Sequence, residues 1–194
     1  MIRRVLTVPV LVLLGGGLVG LAGCAGAGAT QNGPGGGDSR YVAGSRVSQL
    51  IKNRKPAPAV KGTTLDGGPL DLSSFKGKIT VVNFWASWCA PCRAEAPTMQ
   101  KVSEETKASG VQFVGVDIKD GKDNAQAFLR TFKVTYPSLF DQAGQIALAF
   151  RDIPPNAVPS TLVIDRQGKI AARAIGSVSY SPLRDIVTKL AAEK

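Results

Sequence analysis

The chain has 194 residues, with 24 lysines and arginines against 14 aspartates and glutamates, three cysteines and no histidine. A length of this order holds one folded domain, and the missing histidines leave a tetrahedral zinc centre short of ligands. The formal net charge of +10 suits nucleic acid, but no recognition motif or arginine cluster accompanies it.

The N-terminus reads as an export signal. Met1-Ile2-Arg3-Arg4 is a short positive start, an apolar run extends from Val5 to about Val19, and small residues lead to Leu21-Ala22-Gly23-Cys24. That last tetrapeptide resembles the lipobox of bacterial lipoproteins, which implies a signal peptide over residues 1–23, cleavage before Cys24 and lipidation of its thiol. The competing reading is an uncleaved membrane anchor, but Pro9 and five glycines (Gly15, Gly16, Gly17, Gly20, Gly23) make a poor helix of barely spanning length. Residues 24–55, rich in Gly, Ser, Ala and Gln, bury too little apolar surface to order themselves and read as a flexible tether with a reach of roughly 30 Å. Its cations Arg40, Arg46, Lys52, Arg54 and Lys55 favour an anionic lipid surface. A short helix is expected over residues 47–55.

The folded part is expected over residues 56–194. It opens with a hairpin: Lys61 to Thr64, a turn at Asp66-Gly67-Gly68, and Pro69 to Leu72. Ile79 to Trp85 is a continuous β-branched and aromatic run, expected as a buried strand, and helical material begins near Arg93. Between them stand Cys89-Ala90-Pro91-Cys92, at the hand-over from strand to helix. A cysteine at a helix N-terminus gains from the free N–H groups and the positive end of the dipole, so Cys89 is expected to ionise readily. Cys92, one turn on, is within disulfide reach and is expected to be the less exposed of the two. Pro91 fits the helix start, where its missing N–H costs nothing. Cys89 is thus the attacking thiolate and Cys92 the resolving thiol. A stapling disulfide or half of a zinc site are the blander readings of the pair. Glu95 is expected in the first helical turn on the Cys92 face, as the one acid near the motif; it is either a surface acid favoured by the dipole or a buried carboxyl that shuttles the Cys92 proton. Trp88 is expected on a substrate-facing rim and Trp85 in the strand.

Trp85-Ala86-Ser87-Trp88-Cys89-Ala90-Pro91-Cys92-Arg93, flanked by Asn83-Phe84 before and Glu95-Ala96-Pro97 after, resembles the active-site signature of thioredoxin-like proteins of the membrane-tethered, extracytoplasmic TlpA/ResA kind. The resemblance spans Ala57 to the C-terminus. Where plain thioredoxin has an aspartate this chain has Asn83, so Glu95 is expected to replace that acid.

Further along, a helix from Cys92 to Ala108 is expected to bury Met99, Val102 and Thr106 and to kink at Pro97. A strand over Val111 to Ile118 follows, then a helix over Asp123 to Phe132 burying Ala127, Phe128 and Leu129. A short strand at Tyr136 to Asp141 and a short helix at Ile146 to Phe150 resemble the helix-strand insertion of the extracytoplasmic branch. Ala157-Val158-Pro159 then enters a strand to Asp165, a turn at Asp165-Arg166-Gln167-Gly168, a returning strand over Lys169 to Ile175, and a last helix capped by Ser181 with Pro182 first. The order is that of an α/β layered fold with a mixed central sheet flanked by helices. By resemblance the Val158–Pro159 bond is cis and faces Cys89, leaving Val158 backbone groups to pair with an extended substrate.

Together these residues imply a lipid-anchored thiol-disulfide oxidoreductase on the extracytoplasmic face of the bacterial cell membrane. It needs no cofactor beyond the Cys89–Cys92 disulfide and no metal, and is expected as a monomer. The resemblance implies a reductant of exported proteins such as apocytochrome c, fed by a membrane thiol conduit. An oxidant of secreted proteins is the alternative. A peroxiredoxin-like peroxidase would want a Pro-x-x-x-Thr-x-x-Cys setting, and a copper-binding relative a wider cysteine pair with histidine; neither is present.

Overall fold

The β-branched run at residues 79–85 sits at the centre of the fold. In the computed structural model, which describes residues 50–154 and 156–193, β3 (Ile79–Trp85) is buried along its whole length. Before it, β1 (Lys61–Thr63) and β2 (Pro69–Asp71) form the expected antiparallel hairpin. Gly67 takes the left-handed conformation (φ 91°) that its turn requires. After β3 come α1 (Ala90–Thr106), β4 (Val111–Ile118), α2 (Lys122–Thr131), β5 (Ser138–Asp141), α3 (Gln145–Ala149), β6 (Ser160–Ile164), β7 (Ile170–Ile175) and α4 (Tyr180–Ala192).

The five-stranded sheet has the order β5-β4-β3-β6-β7. β3 pairs parallel with β4 and antiparallel with β6, so the sheet is mixed. Strand alternation sends Ile79, Val81 and Phe113 to a core shared with Met99 and Val102 of α1 and with Leu183, Val187 and Leu190 of α4. Val82, Phe84, Val114, Val116 and Leu162 point the other way, toward Phe150, Ile153 and Leu72. This is the expected thioredoxin-like architecture, with the hairpin at its N-terminal side and α2, β5 and α3 in its central stretch.

Four local expectations are corrected. Within residues 50–55 there is no helix: Leu50 bridges Ala172, Pro56 bridges Lys169, and Ile51 N–H donates to the Ala171 carbonyl at 2.8 Å. Leu50 packs on one core and Ile51 on the other, the alternation of a strand covering the β7 edge. Residues 50–55 are therefore part of the described fold, ahead of Pro56. In α2 Phe128 and Leu129 face inward as expected, but Ala125, not the exposed Ala127, is the alanine buried with them. α4 is capped at Ser179, so Ser181 and Pro182 lie inside its first turn, where N–H groups have no intrahelical partner anyway. α1 starts at Ala90, two residues early, and runs on across Pro97 to Thr106. Cys24, the signal peptide and most of the tether lie outside the described residues.

Candidate active site

Both cysteines are placed by the junction of β3 and α1. Cys89 is the N-cap of α1 with extended backbone, and its Sγ accepts the Cys92 N–H at 3.1 Å. A thiolate on that sulfur would meet the same donor and the positive end of a 17-residue helix. The two sulfurs are bonded at 2.09 Å, with Cα atoms 5.3 Å apart. Cys89 is 4% and Cys92 1% exposed, so in the disulfide form exposure barely separates them. Their helix positions do: one caps the helix and the other is inside it. Pro91 occupies the second helical position on the surface.

Glu95 is 2% exposed, in the second turn of α1 and not the first. Its Oε1 accepts from Asn83 Nδ2 at 2.9 Å and its Oε2 from the Val178 N–H at 2.9 Å. Burial lifts its pKa to about 7, and the two hydrogen bonds hold it from rising further. Asn83 also donates to Thr161 Oγ1 at 3.2 Å, which ties Glu95 to the strand after Pro159. Asn83 and Cys92 line one cavity of about 10 Å³, with Trp85, Ala96, Phe128 and Tyr136, close to the room one water needs. The buried-carboxyl reading of Glu95 is the one its position matches.

The Val158–Pro159 bond is cis, and Val158 packs against the apolar cluster that contains Cys89 and Cys92. Pro159 is buried, and its carbonyl accepts the Gly176 N–H at 2.8 Å. Trp88 is 58% exposed beside Cys89, with its Nε1 donating to the Lys119 carbonyl at 3.1 Å. Trp85 is buried and stacks on Phe128 at 4.3 Å. Thus Cys89, Cys92, Glu95, Trp88, Pro91, Val158 and Pro159 all converge on one end of the sheet.

Sequence reasoning missed two acids there. Asp117 is directly opposite Trp85 in the parallel register, and Asp120 accepts from both the N–H and the hydroxyl of Ser87. Glu95 is therefore not the one acid near the motif. The available signal was an aspartate at the carboxyl end of a predicted strand, the end where α/β sheets gather their sites. Among the described residues no group of three or more His, Cys, Asp or Glu is placed to hold a metal. A cavity of about 240 Å³ between Pro56, Phe75, Lys76 and Asp165 lies at the far end of β3 and touches neither cysteine.

A buried, helix-capping Cys-x-x-Cys with a titratable carboxyl beneath it can exchange disulfides, and known proteins of this shape do. The AhpC/TSA family model matches residues 54–173. Thiol-disulfide oxidoreductase ResA of Bacillus subtilis is 32% identical over 71% of this chain and 75% of its own. Thiol:disulfide interchange protein HelX of Rhodobacter capsulatus is 38% identical over 70% of this chain and 72% of its own. Among solved structures, a secreted thiol-disulfide isomerase from Corynebacterium glutamicum superposes with a TM-score of 0.72 and 28% identity, over 79% of this chain and 96% of that one. A DsbF homologue from Corynebacterium diphtheriae reaches 0.70 with 31% identity, over 77% and 97%. By its sequence and its fold alike, the chain belongs to the AhpC/TSA family, as a thioredoxin-like thiol-disulfide oxidoreductase.

Proposed function

We propose that this oxidoreductase is a reductant that opens disulfides in exported proteins, apocytochrome c among them, at the outer face of the bacterial cell membrane. In this reading lipid on Cys24 holds it there as a monomer, and a membrane thiol conduit returns its electrons. Cys89 attacks the substrate disulfide and releases one substrate thiol. Glu95 accepts the Cys92 proton, and the Cys92 thiolate then attacks Cys89 Sγ, releasing the second thiol and closing the protein disulfide. Two electrons pass from the cysteine pair to the substrate. Trp88, Pro91 and the Val158 backbone offer the surface on which the substrate strand lies.

The observation that carries the direction is the buried Glu95 carboxyl one helical turn from Cys92. Strong oxidants stabilise their reduced, thiolate form. A buried carboxylate near Cys92 does the opposite, which favours the disulfide and makes the dithiol the better electron donor. The midpoint potential of the Cys89/Cys92 couple at neutral pH tests this. A value at or below about −250 mV supports a reductase; a value near about −120 mV makes the protein an oxidant of secreted proteins and removes the cytochrome reading.

A further inference from the structure

The turn that presents Cys89 is fastened at a point the exchange chemistry does not use. Ser87 N–H donates to Asp120 Oδ2 at 2.5 Å, Ser87 Oγ donates to Asp120 Oδ1 at 2.9 Å, and the same Oδ1 takes the Gly121 N–H at 2.8 Å. Trp88 Nε1 adds its bond to the carbonyl of Lys119, the residue before Asp120. The segment between β3 and α1 is thereby latched to the segment between β4 and α2. The Asp120 carboxylate thus accepts from three donors in two loop segments.

Behind it stands Asp117, fully buried, with no donor within hydrogen-bond distance of either carboxyl oxygen. A buried carboxylate without a donor is far too costly to leave charged, so the group stays neutral. Its ionisable neighbours are Asp120 in the following turn and Asp141 on β5, both acids. From β3 it faces Trp85, and α1 and α2 bring Cys92, Ala96, Ala125 and Phe128 to the cluster around that ring. The side chain of Lys119 is on the exposed surface. Of these two neighbours Asp120 is the one in side-chain hydrogen-bonding relation to Asp117, and so the acceptor for its proton.

We propose that Asp120 is a positioning residue for thiol-disulfide exchange, holding the Cys89 turn through Ser87, and that Asp117 supports it as a neutral carboxyl donating its proton to Asp120. Ionising Asp117 sets two buried carboxylates against each other and loosens the grip on Ser87. Burial, followed by the fields of Asp120 and Asp141, lifts the Asp117 pKa to about 8, so the latch weakens as pH rises through that value.

The test uses the reduced full chain and a small aromatic disulfide, dithiobis(nitrobenzoate). It follows release of the first thiolate, before Cys92 acts, from about pH 6 to about pH 10, each rate divided by the Cys89 thiolate fraction read from thiolate absorbance. In the wild type the normalised rate falls about tenfold as Asp117 ionises, the worth of a charge-assisted hydrogen bond. Asp117→Asn donates an amide hydrogen at every pH and loses the fall. Asp120→Asn is slower by about tenfold at neutral pH, and adding Ser87→Ala slows it little more, because both remove one latch. Where Asp120→Asn does not fold, Ser87→Ala alone, slowed several-fold, takes its place. An alkaline fall that persists in Asp117→Asn, or a folded Ser87→Ala or Asp120→Asn variant as fast as wild type, overturns the proposal. The probe is not an exported protein, so these outcomes stand apart from the physiological direction and substrate.

Discussion

Above about pH 7 the Glu95 carboxyl is ionised and can take the proton of the Cys92 thiol, whereas below it the carboxyl keeps its own. Glu95→Gln removes the acceptor at every pH while an amide oxygen remains for the Asn83 and Val178 donors. Collapse of the mixed disulfide is therefore expected to slow by about a hundredfold above neutrality and to approach the wild-type rate in acid. Rapid-quench trapping of the mixed disulfide measures this, and a Gln variant with the wild-type pH profile would take Glu95 out of the mechanism. Cys89, Cys92, Glu95 and Pro159 are legible in the sequence because each belongs to a local signal: a strand end, a helix start, a Val-Pro step before a strand. Asp120 is not, because its partner Ser87 is 33 residues away and is met only through the β3–β4 register. Nor does sequence periodicity say that Asp117 lacks a donor, since that depends on what the neighbouring strands leave unfilled.

The elements are legible where one apolar pattern decides them and are misread where two elements compete. β3 and β4 follow from their β-branched runs, and α1 from its cap and inner face. Residues 50–57 look like the end of a tether, yet the open edge of β7 supplies backbone partners that composition does not reveal. Side chains fasten the same segment. Arg54 grips Glu193 with two nitrogens at 2.7 and 2.9 Å and reaches Asp165 Oδ2 at 3.1 Å. Asp165 Oδ1 in turn accepts from Gln167 and Lys169 in the β6–β7 turn. One arginine thus joins the entering strand, the last hairpin and the end of α4. Arg54→Ala is expected to cost about 1 kcal/mol, reflecting a bidentate pair that is partly shielded from solvent. The urea midpoint should fall accordingly, with proteolysis at residues 50–56 becoming faster. Unchanged values for both would reduce the Arg54 contacts to surface pairs of no weight.

At the scale of the whole molecule two buried acids, Glu95 and Asp117, couple folding to pH. Glu95 titrates near 7 and Asp117 near 8 in the folded protein, both above the ordinary carboxylate range, and burial is the leading cause in each case. The folded state therefore holds protons that the unfolded chain has already released between about pH 4 and about pH 8. Stability is greatest below that window and falls as pH rises through it. Asp71 is shifted the other way, to about 2, by the Ser73 donors and Lys61, so it stays ionised across the whole window and contributes no slope there. The oxidised protein is the form to measure, because its cysteines are tied in the disulfide and do not titrate. Its urea midpoint is expected to drop steadily from about pH 4 to about pH 8. Glu95→Gln should remove the part of the slope that ends near pH 7 and Asp117→Asn the part that extends on to near pH 8, with the double variant nearly flat. A midpoint that rises with pH in the wild type would mean that both carboxyls are ionised in the fold, and it would withdraw the proton from beneath Cys92 and from behind the Cys89 turn together.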